Sequence, residues 1–368
     1  MGEMLEVPPG PLRHGYTTGA CATATAQGAL LSLIRQTPVT ETTIGIPAGQ
    51  QVTFALHDVH IGPDRVSCST IKDGGDDPDA THGATITATV SWIPEPGIEI
   101  DGGEGVGRVT KPGLPIPVGE AAINPVPRKM IRQAVETVLE EHGLSHRGVR
   151  VVISVPNGAI IAQKTMNGRL GIVGGISILG TRGIVVPFST ASYKASIALA
   201  LQVARATGHD LAVLTTGGRS ETYAMRLYPE LPAELFIEMG DFVGFSAKHA
   251  KRVGMREIRF VGMMGKFSKV AQGVMMVHAK SAPVDFGFLA KIAAEAGAPP
   301  ALQEEIRGAN TAAQVGDWLW EAGYHGFFNR LAEACCRAVS RHIGGGLRIE
   351  TRLMTLDGKE LGGAAIED

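Results

Sequence analysis

A change of punctuation near residue 146 limits most strongly what this chain can fold into. From 147 on, short apolar runs alternate with helical patterns. Residues 149–155, 184–186, 211–215, 235–239 and 258–261 read as buried strands, and 189–207, 220–227 and 244–253 as helices. That βαβ rhythm predicts a mostly parallel sheet with helices on both faces. Before 146, strand-like runs at 42–46, 51–60, 65–71 and 84–93 alternate with turns. A helix over 20–34, capped by Thr17 or Thr18, and one over 128–141 interrupt them. After 283 the pattern is helical through Ile343 and closes on a strand over 347–355 with a hairpin turn at Asp357-Gly358. A terminal strand needs a sheet to join. Returned to the first domain, it makes the α/β segment an insertion. The expected architecture is therefore an α+β domain (1–145 plus 283–368) interrupted by a Rossmann-like α/β domain (146–282).

At 368 residues and 44% hydrophobic, the chain can bury cores for two domains. A net charge of −2 argues against a general nucleic-acid binder. The charge is uneven along the sequence: residues 146–282 hold 17 Lys+Arg against 7 Asp+Glu, a net of +10, and the rest hold 17 against 29, a net of −12. Such a segment either meets an anionic partner or spreads over solvated helix faces. Cys21, Cys68, Cys335 and Cys336 show no metal-ligand or CxxC spacing. The start MGEMLEVPPG has no basic n-region with an apolar h-region, and no run of 18 apolar residues exists. A soluble cytoplasmic protein with no membrane partner is expected.

The densest polar stretch is Ile71-Lys-Asp-Gly-Gly-Asp-Asp-Pro-Asp-Ala-Thr-His82-Gly, with Asp73, Asp76, Asp77 and Asp79 between Lys72 and His82. The carboxylates are suited to holding a hard cation, although the calcium-loop spacing is absent. They also suit a general base working with His82. A third reading has Lys72 and His82 hold a ligand carboxylate while the aspartates brace turns, and a self-satisfied Asx-rich turn needs no ligand at all. Ile100-Asp-Gly-Gly-Glu104-Gly-Val-Gly-Arg108-Val-Thr-Lys111-Pro-Gly offers backbone N–H groups, Arg108 and Lys111 to an anion. Glu120 and Asn124, ahead of Arg128, read as turn and cap residues. Glycine turns at 171–183, Thr215-Thr-Gly-Gly-Arg-Ser-Glu221 and Met239-Gly-Asp-Phe-Val-Gly244 are placed after strands, where open sheets bind ligands. Neither a Walker nor a GxGxxG spacing favours ATP or NAD. Cys21 sits near a helix start, where a thiolate is favoured, but among small residues it reads first as core.

Several long strings, in order, resemble one family. They are His14-Gly-Tyr-Thr-Thr-Gly-Ala-Cys21-Ala, the 71–84 and 101–114 stretches, Pro117-Val-Gly-Glu-Ala-Ala-Ile-Asn-Pro-Val-Pro-Arg128, Ile153-Ser-Val-Pro-Asn-Gly158 and Gly174-Gly-Ile-Ser-Ile-Leu-Gly-Thr181. Together they resemble the CbiD family, the cobalt-precorrin-5B (C1)-methyltransferases of anaerobic cobalamin biosynthesis. The match runs from about 12 to 285, and the last eighty residues are vaguer. Two departures stand out: where many members look like Gly-His-x-Gly-Lys, this chain has Gly262-Met263-Met264-Gly265-Lys266, and where the family often reads Thr-His-Ser, it has Val277-His278-Ala279.

The resemblance implies an S-adenosylmethionine-dependent C-methyltransferase that gives cobalt-precorrin-6A from a corrinoid polyanion. The cobalt would belong to the substrate, so no protein metal site is expected. Other pathway enzymes are possible partners. Residue roles follow from the residues themselves. Asp73, Asp76, His82 and Glu104 are the candidate proton acceptors or substrate orienters. Gly174, Gly175, Thr181, Thr216, Gly217, Gly218 and Glu221 are the candidate donor-binding set. Lys72, Arg108, Lys111, Arg128 and Lys266 would meet substrate carboxylates. The rival of another class is a non-catalytic tetrapyrrole carrier, which needs basic surface but no donor pocket.

Overall fold

The computed structural model describes residues 7–278 and 281–367. The chain divides into two compact units, one ending at Ser189 and the other beginning at Thr190.

In the first unit, β1 (Gly15–Tyr16) leads into α1 (Thr18–Arg35). A hairpin of β2 (Glu41–Ile46) and β3 (Gln50–Ala55) is followed by β4 (His57–Ile61), β5 (Arg65–Ile71), β6 (Thr85–Ile93) and β7 (Gly97–Gly102). Then come β8 (Arg108–Val109), α2 (Pro125–Glu141), β9 (Gly148–Ser154), α3 (Gly158–Ala162), β10 (Ile172–Val173) and β11 (Ile184–Val185). The main sheet has the order β4-β5-β6-β9-β7. Ile86, Ala88 and Val90 of β6 and Val149, Val151 and Ile153 of β9 are buried at alternate positions, so one face of the sheet carries the core.

Helix α1 fills that core. Fourteen of its 18 residues are buried, and they are mostly Ala, Gly, Thr and Ser, which let backbone approach backbone. At Gly28 an added Cβ would lie 2.1 Å from Leu56 Cδ1. Its buried hydroxyls are satisfied internally: Thr23, Thr25 and Ser32 donate to the carbonyls of Gly19, Cys21 and Gly28 at 2.8–3.0 Å. Thr17 caps the helix, accepting from the Ala20 N–H at 3.2 Å.

The second unit begins with α4 (Thr190–Ala206), followed by β12 (Leu211–Thr215), α5 (Gly218–Leu227), β13 (Phe236–Glu238), α6 (Val243–Arg252), β14 (Glu257–Met263) and α7 (Met264–Ala271). Helices α8 (Phe286–Glu295), α9 (Pro300–Arg307), α10 (Ala312–Glu321) and α11 (Gly326–Ile343) precede β15 (Arg348–Met354) and β16 (Glu360–Ile366). The sheet order is β13-β12-β14-β15-β16, with the first four strands parallel and β16 antiparallel to β15. Tyr223 and Ala224 of α5, with Tyr228 just after it, pack on Val213, Phe236, Val261 and Met354 on one face. On the other, Phe267 of α7 packs edge-on against Phe260, and Cys336 of α11 reaches Thr351.

The expected domain layout needs correcting. Strand β9 does not open the parallel sheet; it inserts between β6, antiparallel, and β7, parallel. β11 pairs antiparallel with β1. Residues 146–189 therefore belong to the first unit. The terminal strand does not return there either: β15 pairs parallel with β14. Neither half is an insertion, and the expected 1–145 plus 283–368 grouping does not form. The 51–60 run breaks at Leu56, whose N–H donates to Thr40 O. The basic segment loses its meaning as a domain property, because residues 6–189 hold 14 Lys+Arg against 16 Asp+Glu and 190–368 hold 20 against 19. Among the described residues, no helix is long and apolar enough to cross a membrane.

Candidate active site

In the first unit the Asp-rich loop between β5 and β6 folds back on the segment before α1, and its acids act mainly as braces. Asp73 forms an ion pair with the Arg13 guanidinium and accepts from the Gly75 N–H at 2.9 Å. Arg13 and that N–H hold its carboxyl down to about 2. Asp76 accepts from the Arg13 N–H at 2.6 Å, and Asp77 from the Phe188 N–H at 2.9 Å. His82 is exposed; its Nδ1 accepts from the Gly74 N–H at 3.0 Å and lies 3.9 Å from Asp73 Oδ1. Gly75, at φ +67°, allows the fold-back: a Cβ there would lie 2.3 Å from Arg13 O. Of the four acid/base candidates, then, Asp73, Asp76 and His82 share one loop. Glu104 is exposed on the separate turn after β7, where its carbonyl accepts from the Val155 N–H at 2.8 Å.

Lys72 is only 1% exposed, and its Nζ donates to Asp79 Oδ2 at 2.6 Å. Burial pushes the Asp79 carboxyl up, but the Lys72 charge and hydrogen bond, with Thr81, outweigh it and leave Asp79 below the ordinary carboxylate range. The pair faces a cavity of about 150 Å³ that is also lined by Thr17, Thr18, Asn167, Ser177 and Val185. Sequence reasoning missed Asp79, Asn167 and Ser177 as lining residues. Ser177 could have been found from the small polar residues of the quoted 174–181 string and Asp79 from the 71–84 string, whereas Asn167 lies in none of the quoted strings.

The basic residues assigned to substrate are committed to neighbours. Arg108 pairs with Asp101 at 2.9 Å, and Arg128 with Glu120 at 3.3 Å and with Ile100 O at 3.0 Å. Lys111 lies over Gly171, where an added Cβ would meet its Cγ at 2.4 Å. Cys21 is fully buried, and burial pushes its thiol up to about 12, the reverse of an activated nucleophile.

The expected donor set is split between the units. Gly174, Gly175 and Thr181 lie in a loop of the first unit, not after a parallel strand. Gly175 is a packing residue: its added Cβ would lie 2.1 Å from Gly105 O, and its own carbonyl accepts from Asn167 Nδ2 at 3.0 Å. Thr181 is exposed.

In the second unit Thr216, Gly217, Gly218 and Glu221 do stand at the carboxyl end of β12 and the start of α5. The chain leaves β12 through α5 on one face of the sheet and β14 through α7 on the other, so the sheet has a switch point between these neighbours. Three strand ends converge there: Lys266 Nζ lies 2.9 Å from Asp241 Oδ1 and 3.4 Å from Thr216 O. Ser220 Oγ accepts from the Thr216 and Gly217 N–H groups at 3.0 and 3.1 Å, which fixes the turn. Beside it, the buried Thr215 Oγ1 has no hydrogen-bond partner among the described residues.

The CbiD family model matches residues 6–187, and the model of the CbiD C-terminal domain matches 276–365. The chain is 64% identical over 353 residues to the cobalt-precorrin-5B C(1)-methyltransferase of Geobacillus kaustophilus (strain HTA426), covering 96% of this chain and 95% of that one. This chain belongs to the CbiD family. The Priestia megaterium member of the same name is 59% identical over 98% of this chain and 99% of its own. A 1.9 Å crystal structure of the cobalamin biosynthesis protein CbiD from Archaeoglobus fulgidus is 30% identical, with a TM-score of 0.39 over 71% of this chain and 80% of that one. The first family model ends two residues short of the Ser189 boundary, so the family's sequence unit and the structural unit coincide.

Proposed function

We propose that this chain methylates C-1 of cobalt-precorrin-5B to give cobalt-precorrin-6A, with S-adenosylmethionine as methyl donor. The observation that carries this reading is end-to-end identity of 64% with a relative bearing that activity's name. Identity extending over 96–98% of this chain to relatives named as methyltransferases supports the enzyme over the carrier.

The second unit, read as Rossmann-like, is the better candidate for the donor. An unpartnered buried hydroxyl on Thr215 and an open face on Gly217 lie at the switch point. An added Cβ at Gly217 would meet nothing nearer than Glu238 Oε1, at 3.6 Å. Hydroxyl, carboxylate and backbone groups of this kind suit a ribose and an amino-acid tail. Thr216, Gly217, Gly218, Glu221, Asp241 and Lys266 are the residues assigned to hold it. S-adenosylmethionine, when bound, supplies an electrophilic methyl on a sulfonium. Transfer forms a carbon–methyl bond, breaks the sulfur–methyl bond and leaves the ring with a proton to lose. The protein's part is chiefly alignment, worth up to about 7–11 kcal/mol of barrier. Asp73 and Asp76 are engaged by Arg13, and the acceptor nitrogen of His82 by the Gly74 N–H, so Glu104, exposed and with no side-chain partner among the described residues, is the least committed of the four acid/base candidates to take the proton. The four reduced, buried thiols fit a reducing cytoplasm.

Calorimetric titration with S-adenosylhomocysteine of the native protein and of Gly217→Val tests the donor assignment. One-site binding that Gly217→Val abolishes, with unchanged thermal unfolding, is the expected result. Binding unaffected by the substitution moves the donor site elsewhere.

A further inference from the structure

Lys72 is among the largest fully buried side chains of the described residues, and it is charged. A buried lysine is costly to keep, and an ion pair with Asp79 offsets that cost only in part. The ammonium has three N–H groups. One goes to Asp79 Oδ2, and among the described residues no other acceptor takes the remaining two. Lys72 lines the cavity of about 150 Å³ at the start of α1, the space open to those two groups. Such a space admits a short carboxyalkyl arm and excludes a macrocycle.

The rest of the lining is suited to the same ligand. The first turn of α1, an 18-residue helix, places its positive dipole end there through Thr17 and Thr18. Ser177 and Asn167, hydrogen-bonded to each other at 3.4 Å, line the wall, and Ile176, Leu179 and Val185 supply apolar surface for a methylene stem. Asp79 is the one anion of the lining; its oxygens are occupied by Lys72 and by the Thr81 N–H and hydroxyl, at 2.6–2.7 Å. We infer that this cavity seats one acetate or propionate carboxylate of the corrinoid, gripped by the two unused N–H groups of Lys72. The inference rests on the proposed substrate and adds to it a specific anchor. An anchored arm fixes the rotation of the ring, and so decides which ring carbon is offered for methylation.

The test uses the full-length protein and two probes, cobyrinic acid with its free side-chain carboxyls and its fully methyl-esterified form, titrated by intrinsic fluorescence. The native protein is expected to bind the acid about 10–100-fold more tightly than the ester, the range of a hydrogen bond to a charged group. Lys72→Met/Asp79→Asn removes both charges together and should erase most of that preference while leaving S-adenosylhomocysteine affinity unchanged. Val185→Phe, which fills the cavity and leaves the ion pair intact, should do the same and covers the case in which the double variant fails to fold. Equal acid binding by the native protein and a folded variant overturns the inference and leaves the methyltransferase reading intact. Failure of the native protein to bind either corrinoid overturns the inference and the proposed substrate together, whereas S-adenosylhomocysteine binding reports separately on the donor.

Discussion

Lys72 Nζ and Asp79 Oδ2 lie 2.6 Å apart, with the lysine side chain 1% exposed. Removing one partner leaves the other charge uncompensated and largely buried, at a cost of up to about 3–5 kcal/mol. Lys72→Met is expected to lose stability of that order, and Lys72→Met/Asp79→Asn clearly less than the sum of the two single changes. Urea unfolding of the native protein and the three variants measures this. Additive losses would mean the two side chains are not coupled.

The Arg13–Asp73 pair gives a pH prediction. Asp73 titrates at about 2 in the folded protein against an ordinary 3.8. A depressed carboxyl contributes stability that is complete above the ordinary value and is lost as pH falls from about 4 toward 2. Asp79, also depressed, acts in the same direction. Asp73→Asn should therefore flatten the acid limb of the stability–pH curve and leave its neutral plateau shape unchanged. An unchanged acid limb would show that the pair is not formed in solution.

Most elements of this fold were legible in the sequence because they follow local rules. The strand at 65–71 and the Thr17-capped helix match their expected places. Sheet membership was not legible, because a buried strand looks the same in either sheet. Val149, Val151 and Ile153 satisfy any apolar partner, and only the pairing with β6 and β7 assigns them. The candidate site divides in the same way. The Lys72–His82 loop was visible as an unusual density of charge, whereas the use of its aspartates as braces depends on Arg13 and Phe188, which are remote in sequence. Asn167 and Ser177 lie on a loop that reaches the cavity only through tertiary packing.

The two glycine turns first assigned to the donor should separate experimentally. Gly175→Ala forces a Cβ against Gly105 O and is expected to cost about 1–3 kcal/mol or more by overpacking. In whatever fraction folds, donor-analogue affinity should be unchanged. Gly217→Val should show the opposite pattern. Thermal unfolding and calorimetry on both variants decide; loss of affinity in folded Gly175→Ala would return the donor to the first unit.

All four cysteines are free and buried, and burial raises each thiol. None is expected to react with a thiol-specific reagent at pH 8 until the protein unfolds, and Cys21→Ala should retain turnover. Rapid labelling of Cys21 in the native state, with loss of turnover, would restore it as a candidate nucleophile.

The most direct measurement is transfer itself. The purified protein is incubated with cobalt-precorrin-5B and S-adenosylmethionine labelled in its methyl group, and the product ring is examined by NMR. The proposed function predicts one labelled methyl at C-1 and one S-adenosylhomocysteine formed per ring methylated. Tight binding of the corrinoid with no label transferred would contradict it and favour the carrier.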